Sequence, residues 1–450
     1  MNHMNNEFGI RTTRLISRGA VAPGIVLIRD KKIADVLDWN EEVNSSIIDI
    51  NDDVLMAGVV DPHVHINEPG RADWEGFDTA TRSAIAGGIT SLVEMPLNAS
   101  PVTTTVKAFE EKINSAEGKI HCDCGFWGGV IPGNKNDIEG LIKKGILGFK
   151  AFLTDSGIDE FPNVNETDLR EVMPIIANHG LPLLVHCELM DDHPQPGSAT
   201  KYQDYLLSRP KKWEDDAIAL MIRLCSEFKC RVHIVHLSSA DSLPQIEKAK
   251  HDGLPLTVET AQHYLYFNAE DIKDGNTLLK CAPPIREKAN NEKLWLALKS
   301  GLIDFVATDH SPAPASMKQN DEGDFMKSWG GISSIQLALP ALWTGAIKHG
   351  EGINHIAKWL CENPAKLPGL TYKGKIEKGY DADLVAWSPE KENLISSESL
   401  YHRHPVSPYC GEKLKGEIHK TWLDGELVYE NEKGKGKFLH LNKGSILYHE

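Results

Sequence analysis

The middle of the chain alternates short apolar runs with amphipathic stretches, and the alternation recurs eight times between residues 59 and 309. Val59-Val60-Asp61-Pro62-His63-Val64-His65 opens the series as a buried strand. Residues 75–86 follow with helical spacing and stop at Gly87-Gly88. Residues 89–95, 121–127, 146–152, 182–186, 231–236, 255–260 and 303–309 read as the remaining strands. Helices are predicted near 104–116, 136–144, 167–178, 213–228 and 291–300, with another ahead of Pro255. Eight strands separated by helices is the order of a closed (β/α)8 barrel. An open doubly wound sheet is the alternative, but no Gly-x-Gly-x-x-Gly follows the first strand, which leaves a dinucleotide site little support.

Outside this region the period changes to that of short strands. Residues 24–28 and 33–37 flank the polar Arg29-Asp30-Lys31-Lys32 as a hairpin would. Near the other end, residues 379–387 read as a turn and strand, and Asp424-Gly425 separates two further strands at 421–423 and 426–429. Pairing of the two ends into one small β-domain is consistent with this pattern, though periodicity cannot establish it.

Composition narrows the class. A chain of 450 residues is too long for one core of ordinary size, and 41% hydrophobic residues support a large one. With 48 basic and 64 acidic residues the net charge is −16, which disfavours nucleic acid or an anionic membrane as partner. No basic segment followed by an apolar one opens the chain, and no apolar run is long enough to span a bilayer. Eight scattered cysteines do not form a disulfide framework, so a reducing cytoplasm is the expected location.

The candidate chemistry lies at the strand ends. Alternation puts His63 and His65 on one side of the first strand. Lys150 lies near the end of the fourth strand, His186 ends the fifth, His236 the sixth and Asp309 the eighth. In a barrel these ends converge on one face, where active sites lie. Singly, each has a structural reading: a lysine reaching to the surface, or a strand-end histidine with its hydrogen bonds satisfied. Six such residues on one rim make the functional reading the stronger. His233 is expected on the same strand face as His236. Cys122-x-Cys124 reads as core packing rather than a zinc site. Cys187, next to His186, would face away from it, which argues against a nucleophile there.

Asp61-Pro62-His63-Val64-His65, Gly148-Phe149-Lys150, Val185-His186-Cys187-Glu188, His233-Ile234-Val235-His236-Leu237-Ser238-Ser239 and Thr308-Asp309-His310-Ser311-Pro312 together resemble the amidohydrolase superfamily. The resemblance extends over nearly the whole chain. Glu68-Pro69-Gly70, Trp74-Glu75-Gly76, Glu94-Met95-Pro96-Leu97-Asn98, residues 280–286 and residues 327–332 are similar to the allantoinases among its members. That resemblance implies a barrel over 56–370 and a β-sandwich shared by 1–55 and 371–450. It also implies two divalent metal ions, zinc first, with manganese, cobalt or iron as alternatives. His63, His65 and Asp309 would hold one ion, His186 and His236 the other, and Lys150, as a carbamate made with carbon dioxide, would bridge them. The choice of His236 over His233 comes from the resemblance.

The implied activity is hydrolysis of the cyclic amide allantoin to allantoate, with Asp309 moving the proton. Ser311, Ala282 and Gly331 are the candidates for holding this small-molecule substrate. Ser311 also reads as a turn serine ahead of Pro312. His310 adjoins the site without an assigned role. Segments 188–212 and 313–331 are read either as covers over the site or as passive insertions. Related hydantoinases and dihydropyrimidinases carry a tyrosine shortly after the bridging lysine, whereas this chain runs Lys150-Ala151-Phe152-Leu153-Thr154-Asp155-Ser156. A metal-free scaffold relative is the rival of another class, and the full ligand set argues against it. A homotetramer is expected by analogy alone.

Overall fold

The computed structural model describes residues 7–191, 197–319, 322–432 and 434–449. Five strands open the chain: β1 (Phe8–Ser17), β2 (Ala20–Arg29), β3 (Lys32–Asp38), β4 (Ser46–Asp49) and β5 (Val54–Ala57). The expected hairpin joins β2 to β3. Its turn residues Asp30 and Lys31 take φ of 50° and 69°, the left-handed pair that matches the twist of the strands.

The barrel strands follow: β6 (Val59–Val64), β7 (Ile89–Glu94), β8 (Asp123–Phe126) with its continuation β9 (Gly128–Gly129), β10 (Phe149–Phe152), β11 (Pro182–His186), β12 (Arg231–Ile234), β13 (Leu256–Ala261) and β14 (Phe305–Ala307). The paired neighbours run parallel. The ring closes between its first and eighth strands, where Val64 bridges His310 and the His65 N–H donates to the His310 carbonyl at 2.8 Å. Asp61 reinforces the closure by accepting from the Thr308 hydroxyl at 2.5 Å and the Thr308 N–H at 3.3 Å.

Helices cover the outside. The one over Glu166–Asn178 buries Leu169, Val172, Met173 and Ile176, a 3.6-residue stripe, and Asn165 caps it by accepting from the Thr167 and Asp168 N–H groups. Each such side chain contributes about 1.5–3 kcal/mol by leaving water.

Four last strands, β15 (Leu384–Leu394), β16 (Lys413–Leu423), β17 (Glu426–Glu432) and β18 (Lys435–Phe438), return to the first five. Antiparallel pairing of β5 with β15 joins both ends of the chain into one sheet of order β18-β17-β16-β15-β5-β1-β2-β3. The sheet forks at β1, whose far edge is shared between β4 and β5. Asp424 and Gly425, at φ of 54° and 76°, make the tight turn expected between β16 and β17. The final residues were not anticipated as a barrel component: Ile446 bridges Cys124, and the Cys124 N–H donates to the Ser445 carbonyl at 2.9 Å.

Candidate active site

Strand ends place the predicted residues, and two of them do so by leaving the strand. Asp309 and His236 adopt φ of 46° and 36°, in the left-handed region that non-glycine residues seldom occupy. His236 and His233 do share a side, but not through strand alternation. Residues three apart on a regular strand point to opposite faces. Here β12 ends at Ile234, and the turn at His236 swings its ring back inward. Both rings therefore reach the barrel interior: His233 Nε2 lies 3.1 Å from Glu259, and the His236 ring lies 5.4 Å from that of His63.

His63, His65 and Asp309 converge, with ligand atoms within 4.8 Å of one another. Asp309 Oδ1 is 3.1 Å from His63 Nε2 and 3.6 Å from His65 Nε2. Across the rim, His186 Nδ1 lies 3.0 Å from His236 Nε2. Burial would raise the Asp309 pKa, but His63 and His65 outweigh it and hold the carboxyl well below the usual range. Burial keeps His186 and His236 in their neutral, metal-binding form.

Lys150 belongs to both groups, since its charge acts on His65, His186 and His236. Its Nζ is buried without a hydrogen-bond partner among the described residues and sits 5.0 Å over the Phe152 ring, which stacks on His186. Burial lowers its pKa to about 8 despite the nearby carboxylates of Glu259 and Asp309. An unpartnered buried amine is unfavourable as it stands. Conversion to a carbamate would turn it into an oxygen donor, so the donor set fits two divalent ions bridged at this position.

A cavity of about 910 Å³ opens above these residues, and Ser311, Ala282 and Gly331 line it. The Ser311 hydroxyl donates to the Asp309 carbonyl at 3.1 Å, so it also steadies the Asp309 turn. A Cβ on Gly331 would lie 2.5 Å from Ser311, which makes glycine necessary there. Described parts of both long segments reach the cavity, through Met190, Tyr205 and Arg209 on one side and Met317, Ser328 and Trp329 on the other. Residues 192–196 and 320–321 of those segments lie outside the described residues. Lys318 and Lys280 fasten the second segment: Lys318 Nζ donates to the Lys280 carbonyl and Lys280 Nζ to the Ser328 carbonyl, each at 2.5 Å. Cys122, Cys124 and Cys187 are buried core residues, and burial pushes the Cys187 thiol up, away from any nucleophilic use. His310 accepts from the Ser334 N–H at 3.0 Å and thereby pins the chain after Gly331.

Several residues received no role from the sequence. Glu259 lies against His63 Nδ1, Glu188 lies 2.8 Å from His186 Nε2, and the Asn98 amide lies 3.3 Å from His65 Nδ1. The available signal was a charged residue inside an apolar strand, Val258-Glu259-Thr260, where a carboxylate must find a partner.

The Amidohydrolase family matches residues 54–428. The chain is 45% identical over 451 residues to the allantoinase of Streptomyces avermitilis, covering 99% of each. It is 48% identical over 444 residues to a protein of Aquarana catesbeiana named mitochondrial allantoinase, covering 97% of this chain and 89% of the other. Among solved structures it is similar to the L-hydantoinase (dihydropyrimidinase) from Arthrobacter aurescens, with a TM-score of 0.91 and 29% identity, covering 98% of this chain and 99% of that one.

Proposed function

Because the chain belongs to the amidohydrolase family, whose match spans residues 54–428, we propose that it is an allantoinase, opening the cyclic amide ring of allantoin to allantoate. His63, His65 and Asp309 would hold one divalent ion, His186 and His236 a second, and carboxylated Lys150 both; mixed imidazole and carboxylate donors suit zinc. Bound there, the ions supply Lewis acidity toward the amide carbonyl and lower the pKa of water so that it attacks near neutral pH.

The side chains do the rest. Asp309, ionised, 3.1 Å from His63 and 3.6 Å from His65, accepts the proton of the attacking water and returns it to the departing ring nitrogen. Ser311, whose hydroxyl donates to the Asp309 backbone carbonyl, steadies the turn that carries that carboxylate and borders the space for substrate, with backbone groups of Ala282 and Gly331 nearby. Described residues of the two long segments border the same space. The observation that carries the reading is the convergence of the His63, His65 and Asp309 ligand atoms on one point under the cavity.

Substrate choice separates this reading from a hydantoinase or dihydropyrimidinase. In place of the tyrosine of those relatives the chain has Phe152, stacked on His186, and Thr154, whose buried hydroxyl borders the cavity without a partner. Such a site should favour a substrate bearing an extra ureido group and discriminate against those lacking it. Steady-state rates of zinc-replete protein on allantoin, hydantoin and dihydrouracil test this. Allantoin is expected to have the highest kcat/KM, and equal or faster turnover of either other ring overturns the assignment. Among the described residues no helix is long and apolar enough to cross a membrane. A cytoplasmic homotetramer completes the proposal, and sedimentation of the purified chain tests the assembly.

A further inference from the structure

We infer that Glu259 and Glu188 are positioning residues of the metal centre, each fixing which ring nitrogen of one histidine faces an ion: Nε2 for His63 and Nδ1 for His186. The inference rests on the proposed two-ion site and concerns how that site is set up.

The two carboxylates sit on opposite flanks of the histidine cluster. Glu259 Oε1 contacts His63 Nδ1, with both side chains only 1% exposed. An ionised carboxylate only accepts hydrogen bonds, so it holds the proton on Nδ1. An ion-bound imidazole has one N–H, and with that proton on Nδ1 the lone pair offered to the ion is on Nε2, the nitrogen that lies 3.1 Å from Asp309, a proposed ligand of the same ion. The other oxygen, Oε2, is 3.1 Å from His233 Nε2, while the His236 N–H donates to Oε1 at 3.3 Å. One carboxylate thus orients the ring of a ligand to the first ion and the backbone of a ligand to the second. It also gives His233 a structural use, as a member of the supporting layer.

At His186 the pattern is reversed. Glu188 Oε2 lies 2.8 Å from Nε2, and Nδ1 points at His236 Nε2, 3.0 Å away. Arg209 supplies the counter-charge, its Nε donating to Glu188 Oε1 at 3.1 Å. A histidine–carboxylate pair that served packing alone would leave the remaining nitrogen in any direction. In both pairs that nitrogen is aimed at another proposed ligand. The two ions are therefore bound through non-equivalent histidine nitrogens, and each has its own supporting carboxylate.

The test strips the full chain of metal with a chelator and retitrates it with Zn2+ against a competing colorimetric chelator. Glu259→Gln is expected to weaken one ion and Glu188→Gln the other, each by about 10–100-fold, with the second ion retained. Glu259→Asp, which keeps the charge, is expected to recover part of the loss. Both glutamine variants binding two ions with wild-type affinity would overturn the inference. Nitrogen-15 NMR of the histidine rings in the zinc-loaded wild-type protein covers the case of a variant that does not fold. It should show Nδ1–H for His63 and Nε2–H for His186, and the opposite tautomer at either ring defeats the proposal. A wild-type chain that binds two ions yet does not open allantoin overturns the substrate reading and leaves this one standing.

Discussion

Lys150 and Lys373 are both buried lysines of the same barrel, and they meet opposite surroundings. Lys373 reaches Asp383 at 2.6 Å, Asp123 at 2.7 Å and Asp381 at 3.3 Å, joining the start of β8 to the terminal sheet. Lys150, below the histidine rim, has no hydrogen-bond partner among the described residues. Burial works against charge on both. At Lys373 three carboxylates outweigh it and raise the pKa well above the usual value, whereas at Lys150 burial prevails and lowers it to about 8. Lys112, fully buried against Glu94, repeats the paired arrangement. At Lys373 and Lys112 the buried ammonium is given a carboxylate. Lys150 bonds to none among the described residues, and its pKa falls toward the neutral range beside the proposed ligands.

The widest separation between the two lysines should come from Lys150→Ala. Metal and turnover are expected to disappear together while the melting temperature of the apoprotein changes little, because an unpartnered amine stabilises nothing. Short carboxylic acids should restore part of the activity by filling the bridge. Carbon-13 labelling with carbon dioxide reads the modification directly, and an unmodified lysine in a fully metallated, active enzyme would refute it.

Lys373→Met should show the converse. Removing one partner of a buried ion cluster leaves uncompensated charge and costs about 3–5 kcal/mol. Denaturant melts should register that loss while kcat at low temperature stays near wild type. A large fall in kcat with unchanged stability would erase the contrast between the ends.

Asp309→Asn sharpens the comparison within the rim. The amide keeps a ligand oxygen but cannot carry the proton, so the rate should fall by roughly 10²-fold or more with metal content largely kept. Near-native turnover in the metal-loaded variant would remove Asp309 from proton transfer.

The smallest effect concerns pH. Lys150 must be neutral to add carbon dioxide, and its pKa is lowered to about 8. Carbamate formation in the apoprotein at fixed dissolved carbon dioxide should therefore rise about fivefold from pH 7 to pH 8 and level off above that. A rate still climbing tenfold per unit at pH 9–10 would mean an ordinary lysine.

Much of this was legible from residue pattern. A period of two puts His63 and His65 on one side of β6, and eight alternations of strand and helix leave a closed barrel as the leading architecture. The hairpins at Asp30-Lys31 and Asp424-Gly425 were equally readable, since a two-residue turn advertises itself by residues that tolerate positive φ. Strand ends were less secure. His236 departs from simple alternation because β12 stops two residues early, and a turn at φ 36° decides where its ring goes.

What the sequence by itself determined, then, is the order of elements, which follows from local period, and the candidate ligands, which follow from side-chain chemistry together with the family resemblance. Only the tertiary structure decided their partners. Asp61 closing on Thr308, Glu259 on His63, the tail at Ile446 lying along Cys124 and Lys150 having no partner all depend on which distant segments share a neighbourhood. Those meetings are set by barrel closure and core packing across hundreds of residues, and no local pattern encodes them. A buried lysine reads the same in sequence whether it pairs with three carboxylates or with none.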